Sequence, residues 1–477
     1  MLDRIVEMLM GKKTRQRKAA EPDALAAPPG HNDALHRLNA IAPLMNEVNN
    51  PSANGAVDPN ATGASQARKS IVGREAVLGT NQRVAGYAFS LRYEVNQRVR
   101  SSSTMVQRLY DEVLLRNLQN MEIQRLLEHR LAFINVSASS LEKPLFEELP
   151  PQGIVYVVGP NAQLVANPAS CLTRLTRLKA LGYRFGLQGT GVDSPGMSPF
   201  VELADFLFID IGSNNIPAIN DQMDTAVRLT TAIKFVATNI RTLEEFGVCA
   251  RLPFSFYLGP FITSRGKWDT TRIDAGRTKI LQLMNKLRSD AEVAELTSLI
   301  KQNPALSFKL LRYINSPGMG LMHKVSTLDQ ALMVLGRQKF CRLLTLLLFT
   351  SAETRGLDSA IMENALVRAR FAELVAQNFL PADERDGLFV AGMFSLLDIV
   401  LATPMEAVLK LVSLPPSVNE VLLHHRGKYA PYLELAIACE QSDDANISAL
   451  SEAIGLDGKQ VNNLHLDALL WALQINE

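Results

Sequence analysis

A chain of 477 residues, 47% of them apolar, carries enough hydrophobic surface for two or three separate cores, which excludes a small fold held together by disulfides or metal. Its 49 basic side chains are offset by 48 acidic ones, a formal net charge of +1, so no global field draws it to nucleic acid or to an anionic surface. Cys171, Cys249, Cys341 and Cys439 have no CxxC spacing; Cys171, Cys341 and Cys439 sit in apolar helical patterns and read as reduced packing residues of a cytosolic protein.

At the N-terminus, Leu2, Ile5, Val6 and Leu9 recur at the helical period and put one apolar stripe on a short helix that Gly11 can end. Asp3 and Glu7 interrupt the apolar run that a signal peptide needs, so no export is expected. Lys12, Lys13, Arg15, Arg17 and Lys18 follow. A helix this short is marginal alone, so the expectation is either a frayed or self-docking terminus or a helix that orders against an anionic membrane or a partner protein. Residues 1–69 are read as this recruitment helix, the basic run and flexible linker rich in Ala, Pro, Gly, Asn and Ser.

From Ser70 to Thr263 short apolar runs alternate with helical periodicities. RVAGYAFSL, LAFINVS, GIVYVV, YRFGL, DFLFIDI, IKFVAT and LPFSFYL read as strands, and Leu172, Leu175, Leu178 and Leu181 mark one of the intervening helices. Strands apolar on both faces, separated by helices, predict a parallel sheet. Seven or eight such units predict a closed (β/α) barrel with functional groups at the strand C-terminal ends.

After a polar connector at 264–276, residues 277–477 are predicted to form an all-helical domain. Asn303 and Pro304 form an N-cap and first helical position, while Ser326, Asp329 and Gly336 bound a second helix. No run reaches the roughly 20 apolar residues of a membrane span; the longest, Val390 to Ala402, contains Asp398 and predicts a core helix. Arg342 to Phe349 and Met405 to Pro415 offer more apolar side chains than one helix face hides, which fits a domain or subunit interface or the core.

These residues resemble a two-domain bacterial signalling architecture, an EAL domain followed by an HDOD domain. IVGREAVLGTNQRVAGYAFSLR is similar to the opening hairpin of EAL domains in this pairing, and LAFINVS, GIVYVV, YRFGL and DFLFIDI follow the family's strand order. SLIKQNPALSFKLLRYINSPG, STLDQALMVLGRQKF and FVAGMFSLLDIVL resemble successive HDOD segments. The resemblance implies a TIM-like (β/α) barrel of EAL type at 70–263 and an HDOD helical domain at 277–477.

Active EAL enzymes cleave cyclic di-GMP with a water held by two divalent ions, chemistry that needs clustered carboxylates because hard dications take oxygen ligands and repel one another. By the resemblance, Ala88 stands at the glutamate of the signature, and Val157 and Pro160 at a paired-glutamate position. Gln188 and Gly189 stand at an Asp-Asp pair, Phe208 at a lysine, Arg241 at a glutamate and Leu258 at a glutamine. Asn135 matches a retained asparagine, Asp205 and Asp210 remain, and Arg92 matches an arginine that family members place against a ligand phosphate. The ligand-binding candidates are therefore Arg92 and Asn135, with no metal site and no cofactor expected. The loop LQGTGVDS lacks the spacing and the Lys-Ser/Thr pair of a P-loop, and does not open a helix as a Rossmann motif would.

In the helical part, HDOD domains resemble HD-type phosphohydrolases whose metal ligands are gone. Ser395 and Leu396 occupy the positions of that lost His-Asp pair, and Asp398 is read as a helix-end or interface residue. Adjacent His424 and His425 point about 100° apart on a helix and cannot chelate one ion. The expectation is an inactive signalling adaptor that works through protein partners, or through a second copy of this chain, in motility, pilus or surface behaviour. A non-hydrolysing cyclic di-GMP receptor and a residual phosphodiesterase are the alternatives.

Overall fold

The structure is a computed structural model that describes residues 72–91, 103–127, 130–266, 268, 273–289, 291–302, 306–307, 310–311, 325, 327–349, 356–441 and 444–476. The expected recruitment helix with Leu2, Ile5, Val6 and Leu9, the candidate Arg92 and the cap at Asn303 and Pro304 lie outside the described residues.

Eight strands close a barrel: β1 (Val72–Gly79), β2 (Val84–Leu91), β3 (Leu131–Ser137), β4 (Ile154–Gly159), β5 (Arg184–Gln188), β6 (Phe206–Asp210), β7 (Lys234–Thr238) and β8 (Phe254–Leu258). The seven apolar runs of the sequence all become strands. Neighbours from β2 to β8 pair in parallel, but β1 runs antiparallel to both β2 and β8, so the uniform parallel sheet suggested by periodicity is corrected at one strand. A tight hairpin explains the reversal: Gly79 N–H donates to the Arg83 carbonyl at 2.9 Å and Gln82 turns the chain at φ 60.

The helices around the barrel include α1 (Thr104–Asn120), α2 (Asn161–Ala166), α3 (Pro168–Ala180), α4 (Ile216–Leu229) and α5 (Leu243–Cys249). Tyr110, Val113, Leu114 and Leu118 are the buried stripe of α1. Helix α4 starts where the Asn215 side chain accepts from Ala218 N–H at 3.0 Å. Helix α5 starts with a capping box, Thr242 and Glu245 each satisfying the other's backbone N–H.

In the helical part, α6 (Ala275–Arg288) is capped by Asp274, which accepts from Arg277 N–H at 2.9 Å. Helix α7 (Leu328–Phe349) is broken at Gly336, whose φ of 71 ends the first segment where the sequence placed its stop. Ser326 of the expected box lies outside the described residues; at this helix start the Thr327 hydroxyl accepts from Gln330 N–H at 3.2 Å, and Asp329 accepts from the Thr297 hydroxyl at 2.8 Å. Then follow α8 (Gly356–Val375), α9 (Ala382–Phe394), α10 (Leu397–Leu401), α11 (Asp444–Ile454) and α12 (Gly458–Asn476). The apolar run from Val390 is buried as expected, but it bends between α9 and α10 at Ser395 and Leu396. Leu343, Leu344 and Leu346 to Phe349 are all buried, so this run is core within the helical part.

The chain divides into two compact units. One holds Ile262–Ile437 and resumes at Asp467; the other holds the barrel up to Phe261 together with Ala438–Leu466. The sequence-based domains were two continuous segments, 70–263 and 277–477, whereas the barrel unit takes back a late segment of the chain. Its apolar side chains explain why: Ile447, Val461 and Leu466 are buried.

Candidate functional site at the barrel mouth

Alternation along each strand decides which side chains enter the lumen. Val77, Phe133, Val155, Val157, Phe206 and Val236 form a buried cluster there, with Ala88, Leu131, Phe208, Phe256 and Leu258 packed against it. The Phe133 ring lies edge-on to Phe206, Phe208 and Phe256 at centroid distances of 5.6, 5.7 and 6.0 Å. Gly186 is what admits Phe208, since a Cβ on Gly186 would stand 2.5 Å from the Phe208 ring. Ala88, Val157, Phe208 and Leu258 thus meet in one hydrocarbon cluster, and each large side chain removed from water there contributes roughly 1.5–3 kcal/mol.

The surviving acids have local duties. Asp205, at the start of β6, accepts from Phe185 N–H at 2.9 Å and pairs with Lys179 at 3.2 Å, at the end of the strand opposite the mouth. Asp210 ends β6 at the mouth, accepting from Gly212 N–H at 2.8 Å and from Asn239 Nδ2 at 3.2 Å. Arg241 Nε reaches the Asn239 Oδ1 at 3.4 Å while its backbone N–H donates to Glu245 at 2.7 Å. Asp210, Asn239, Arg241 and Glu245 therefore form a chain that ties the β6 and β7 loops to the start of α5.

Three N–H groups of the glycine-rich loop after β5 are engaged by carbonyls of the loop and of β6. Gly189 N–H donates to the Phe208 carbonyl at 2.7 Å, Val192 N–H to Gly189 at 3.1 Å and Ser194 N–H to Gly191 at 3.1 Å. Asn161 Nδ2 clamps the loop by donating to the Gln188 and Thr190 carbonyls at 2.8 and 2.9 Å. A phosphate cradle needs convergent free N–H groups, and these are committed.

Beside the loop is a cavity of about 40 Å³, lined by Gln107, Tyr110, Asp111, Asn135, Ser137 and Gln188 among others. A space of this size holds a few waters rather than a nucleotide. Asn135, the sequence candidate, forms part of its wall, in register with Val157 on β4. Asp111 was not anticipated. It is 3% exposed and accepts from Ser137 N–H at 2.9 Å, yet burial dominates and pushes its carboxyl up to about 6. Glu75 was also missed: it stands opposite Ala88 on β1, and loss of water around it pushes its carboxyl up to about 7. Glu75 was legible in principle, because it shares the inward face of β1 with Val77, two residues along. Asp111 gave no such signal, since a polar residue on an amphipathic helix reads as solvent-facing until the helix is packed. Among the described residues no group of three His, Cys, Asp or Glu side chains is arranged to hold a metal ion.

In the helical unit, Ser395 and Asp398 belong to a buried polar network. Arg265 Nε donates to Asp398 Oδ2 at 2.6 Å, and Arg368 donates to the Ser395 hydroxyl at 3.2 Å. Asp398 stands in the first turn of α10 at 1% exposure, so it is a core acid; burial raises its carboxyl, and Arg265 opposes the shift. His425 ends its helix in a left-handed conformation, φ 54, with Nδ1 2.6 Å from Glu434.

Residues 275–412 match the HDOD domain family. The chain thus joins a closed eight-stranded barrel with a reversed first strand to a helical segment that matches the HDOD family. Across nearly its whole length it is similar to the uncharacterized protein YuxH of Bacillus subtilis, 24% identical over 412 residues, which cover 84% of this chain and 97% of YuxH. It is likewise similar to the cyclic di-GMP phosphodiesterase CdgJ of Vibrio cholerae, 23% identical over 406 residues, covering 85% of this chain and 93% of CdgJ. Among solved structures, the cGMP-bound EAL enzyme Bd1971 matches at 16% identity and a TM-score of 0.35, over 48% of this chain and 66% of that one. The PaMucR phosphodiesterase in complex with c-di-GMP matches at 18% identity and a TM-score of 0.33, over 40% of this chain and 94% of that one. Among the described residues no helix is long and apolar enough to cross a membrane.

Proposed function

We propose that the chain is a catalytically inactive member of the cyclic di-GMP phosphodiesterase-like EAL–HDOD proteins, acting as a signalling adaptor through protein partners. The observation that carries this reading is the hydrocarbon filling of the mouth. Ala88, Val157, Phe208 and Leu258 pack with Phe133, in the place where a pair of dications would need anionic oxygen. Asn135 offers one neutral amide, and Asp210 is engaged by Gly212 and Asn239.

A barrel that keeps its strands while its lumen is hydrocarbon still presents an outer surface and loops, and so does the helical unit. Binding other proteins is the activity such surfaces support. Affinity capture of the full-length chain beside a variant lacking residues 1–18 tests this directly. Specific partners retained by the full chain support the adaptor, and loss of some of them in the shortened chain assigns their recruitment to the N-terminal segment. Saturable binding of cyclic di-GMP in calorimetry at micromolar concentration, with no partner captured, replaces the adaptor by a nucleotide receptor.

A further inference from the structure

The segment Ala438–Leu466, beyond the HDOD match, has a position that the adaptor reading does not use. Val72 and Leu91 stand opposite each other at the mouth end of the β1–β2 hairpin. Both backbone polar groups of Leu91 are taken by the Tyr110 hydroxyl, which accepts from the Leu91 N–H at 2.8 Å and donates to its carbonyl. The pair is therefore not bonded to itself, and the Val72 N–H points away from β2. On that other side, among the described residues, β8 pairs with β1 only from Val77 to Gly79, which leaves the edge from Val72 to Ala76 open on the β8 side.

The late segment covers this edge. The Val72 N–H donates to Asn462 Oδ1 at 2.9 Å across 390 residues of sequence, and Arg74 Nε donates to His465 Nε2 at 2.9 Å. Asn462 and His465 are three apart on α12, hence on one face of it. Arg74, Asn462 and His465 are 6, 3 and 4% exposed, and the guanidinium also lies 5.3 Å from the centre of the Tyr87 ring. Burial, then the charge of Arg74, hold His465 well below its usual range, which keeps the imidazole neutral and able to accept. The buried Ile447, Val461 and Leu466 anchor the same segment.

We propose that Ala438–Leu466 is a strap that closes the open edge of β1 and thereby holds the barrel mouth, from Val72 across to Leu91 and on through the Tyr110 hydroxyl to the wall of the cavity. Anything that takes up the strap frees that edge.

Amide hydrogen exchange on the full-length chain tests this. Asn462→Ala and His465→Leu are each expected to speed exchange across residues 72–91 at least tenfold, while α8 and α9 keep their wild-type protection. Asn462→Asp, which retains an oxygen acceptor for Val72, is expected to keep most of the protection. Unchanged exchange at 72–91 in both disrupting variants overturns the proposal. So does acceleration of equal size in α8 and α9, because that outcome makes the contact a general stabiliser rather than a strap on the mouth.

Discussion

The barrel lumen and the interior of the helical unit handle charge in opposite ways. The lumen is built from Phe133, Phe206, Phe208 and Phe256 with valines around them, and Glu75, on the inward face of β1, has its carboxyl pushed up to about 7 by the loss of water. The helical unit buries charge but pairs it. Arg342 donates to Asp386 at 2.8 Å and to Glu373 at 2.9 Å while lying 3.8 Å over the Phe389 ring, and Arg265 holds Asp398. The difference teaches that the lumen depends on shape, whereas the helical interior depends on keeping each acid with its arginine.

Truncating the centre of the aromatic cluster is the harshest way to break this comparison. Phe133→Ala removes the ring that touches three others and is expected to destabilise the barrel unit by about 4 kcal/mol, read from its urea transition. In the helical unit, Arg342→Met keeps the volume but leaves Asp386 without its guanidinium, while Arg370 still pairs with Glu373 at 2.7 Å. A loss of about 2–3 kcal/mol is expected there; a neutral outcome means that the pairing of charge is not what sustains that interior.

Titration sharpens the contrast. The folded-state pKa of Glu75 is raised from 4.5 to about 7, so between those values the folded chain holds a proton that the unfolded chain has released. Its contribution to stability therefore declines as pH rises from 4.5 to 7 and stays low above that. Glu75→Gln is expected to remove this decline and to stabilise the protein by about 1–2 kcal/mol at pH 8, with little effect at pH 4. His465 has the opposite slope: its lowered folded pKa means that stability falls as pH drops below 6.5, in wild type and Glu75→Gln alike. The smallest effect belongs to the surface. Lys286→Ala breaks an ion pair with Glu295 whose side chains are 47 and 46% exposed, and a change under about 0.5 kcal/mol is expected in the helical unit.

Much of the barrel could be read directly, because alternation and apolar runs mark β2 to β8 within a few residues. The reversed β1 escaped the periodicity, since an alternating pattern carries no direction; the resemblance of IVGREAVLG to a hairpin supplied it. Gly336 announced a helix stop through the backbone freedom that its φ of 71 requires. The return of Ala438–Leu466 to the barrel left no trace in local pattern, because Asn462 and His465 find their partners 390 and 391 residues away. At the site, Ala88, Val157 and Phe208 could be named as apolar, but their meeting in one cluster needed the register. Asp111 and Glu75 were hidden for the same reason: what marks them is the water they lose, and that depends on tertiary packing.

The central claim is that the mouth cannot assemble two dications. The direct measurement is prolonged incubation of the full-length protein with cyclic di-GMP and Mn²⁺, with chromatographic detection of the linear dinucleotide. No product above the protein-free control is expected. Product formation that Asn135→Ala abolishes would contradict the claim.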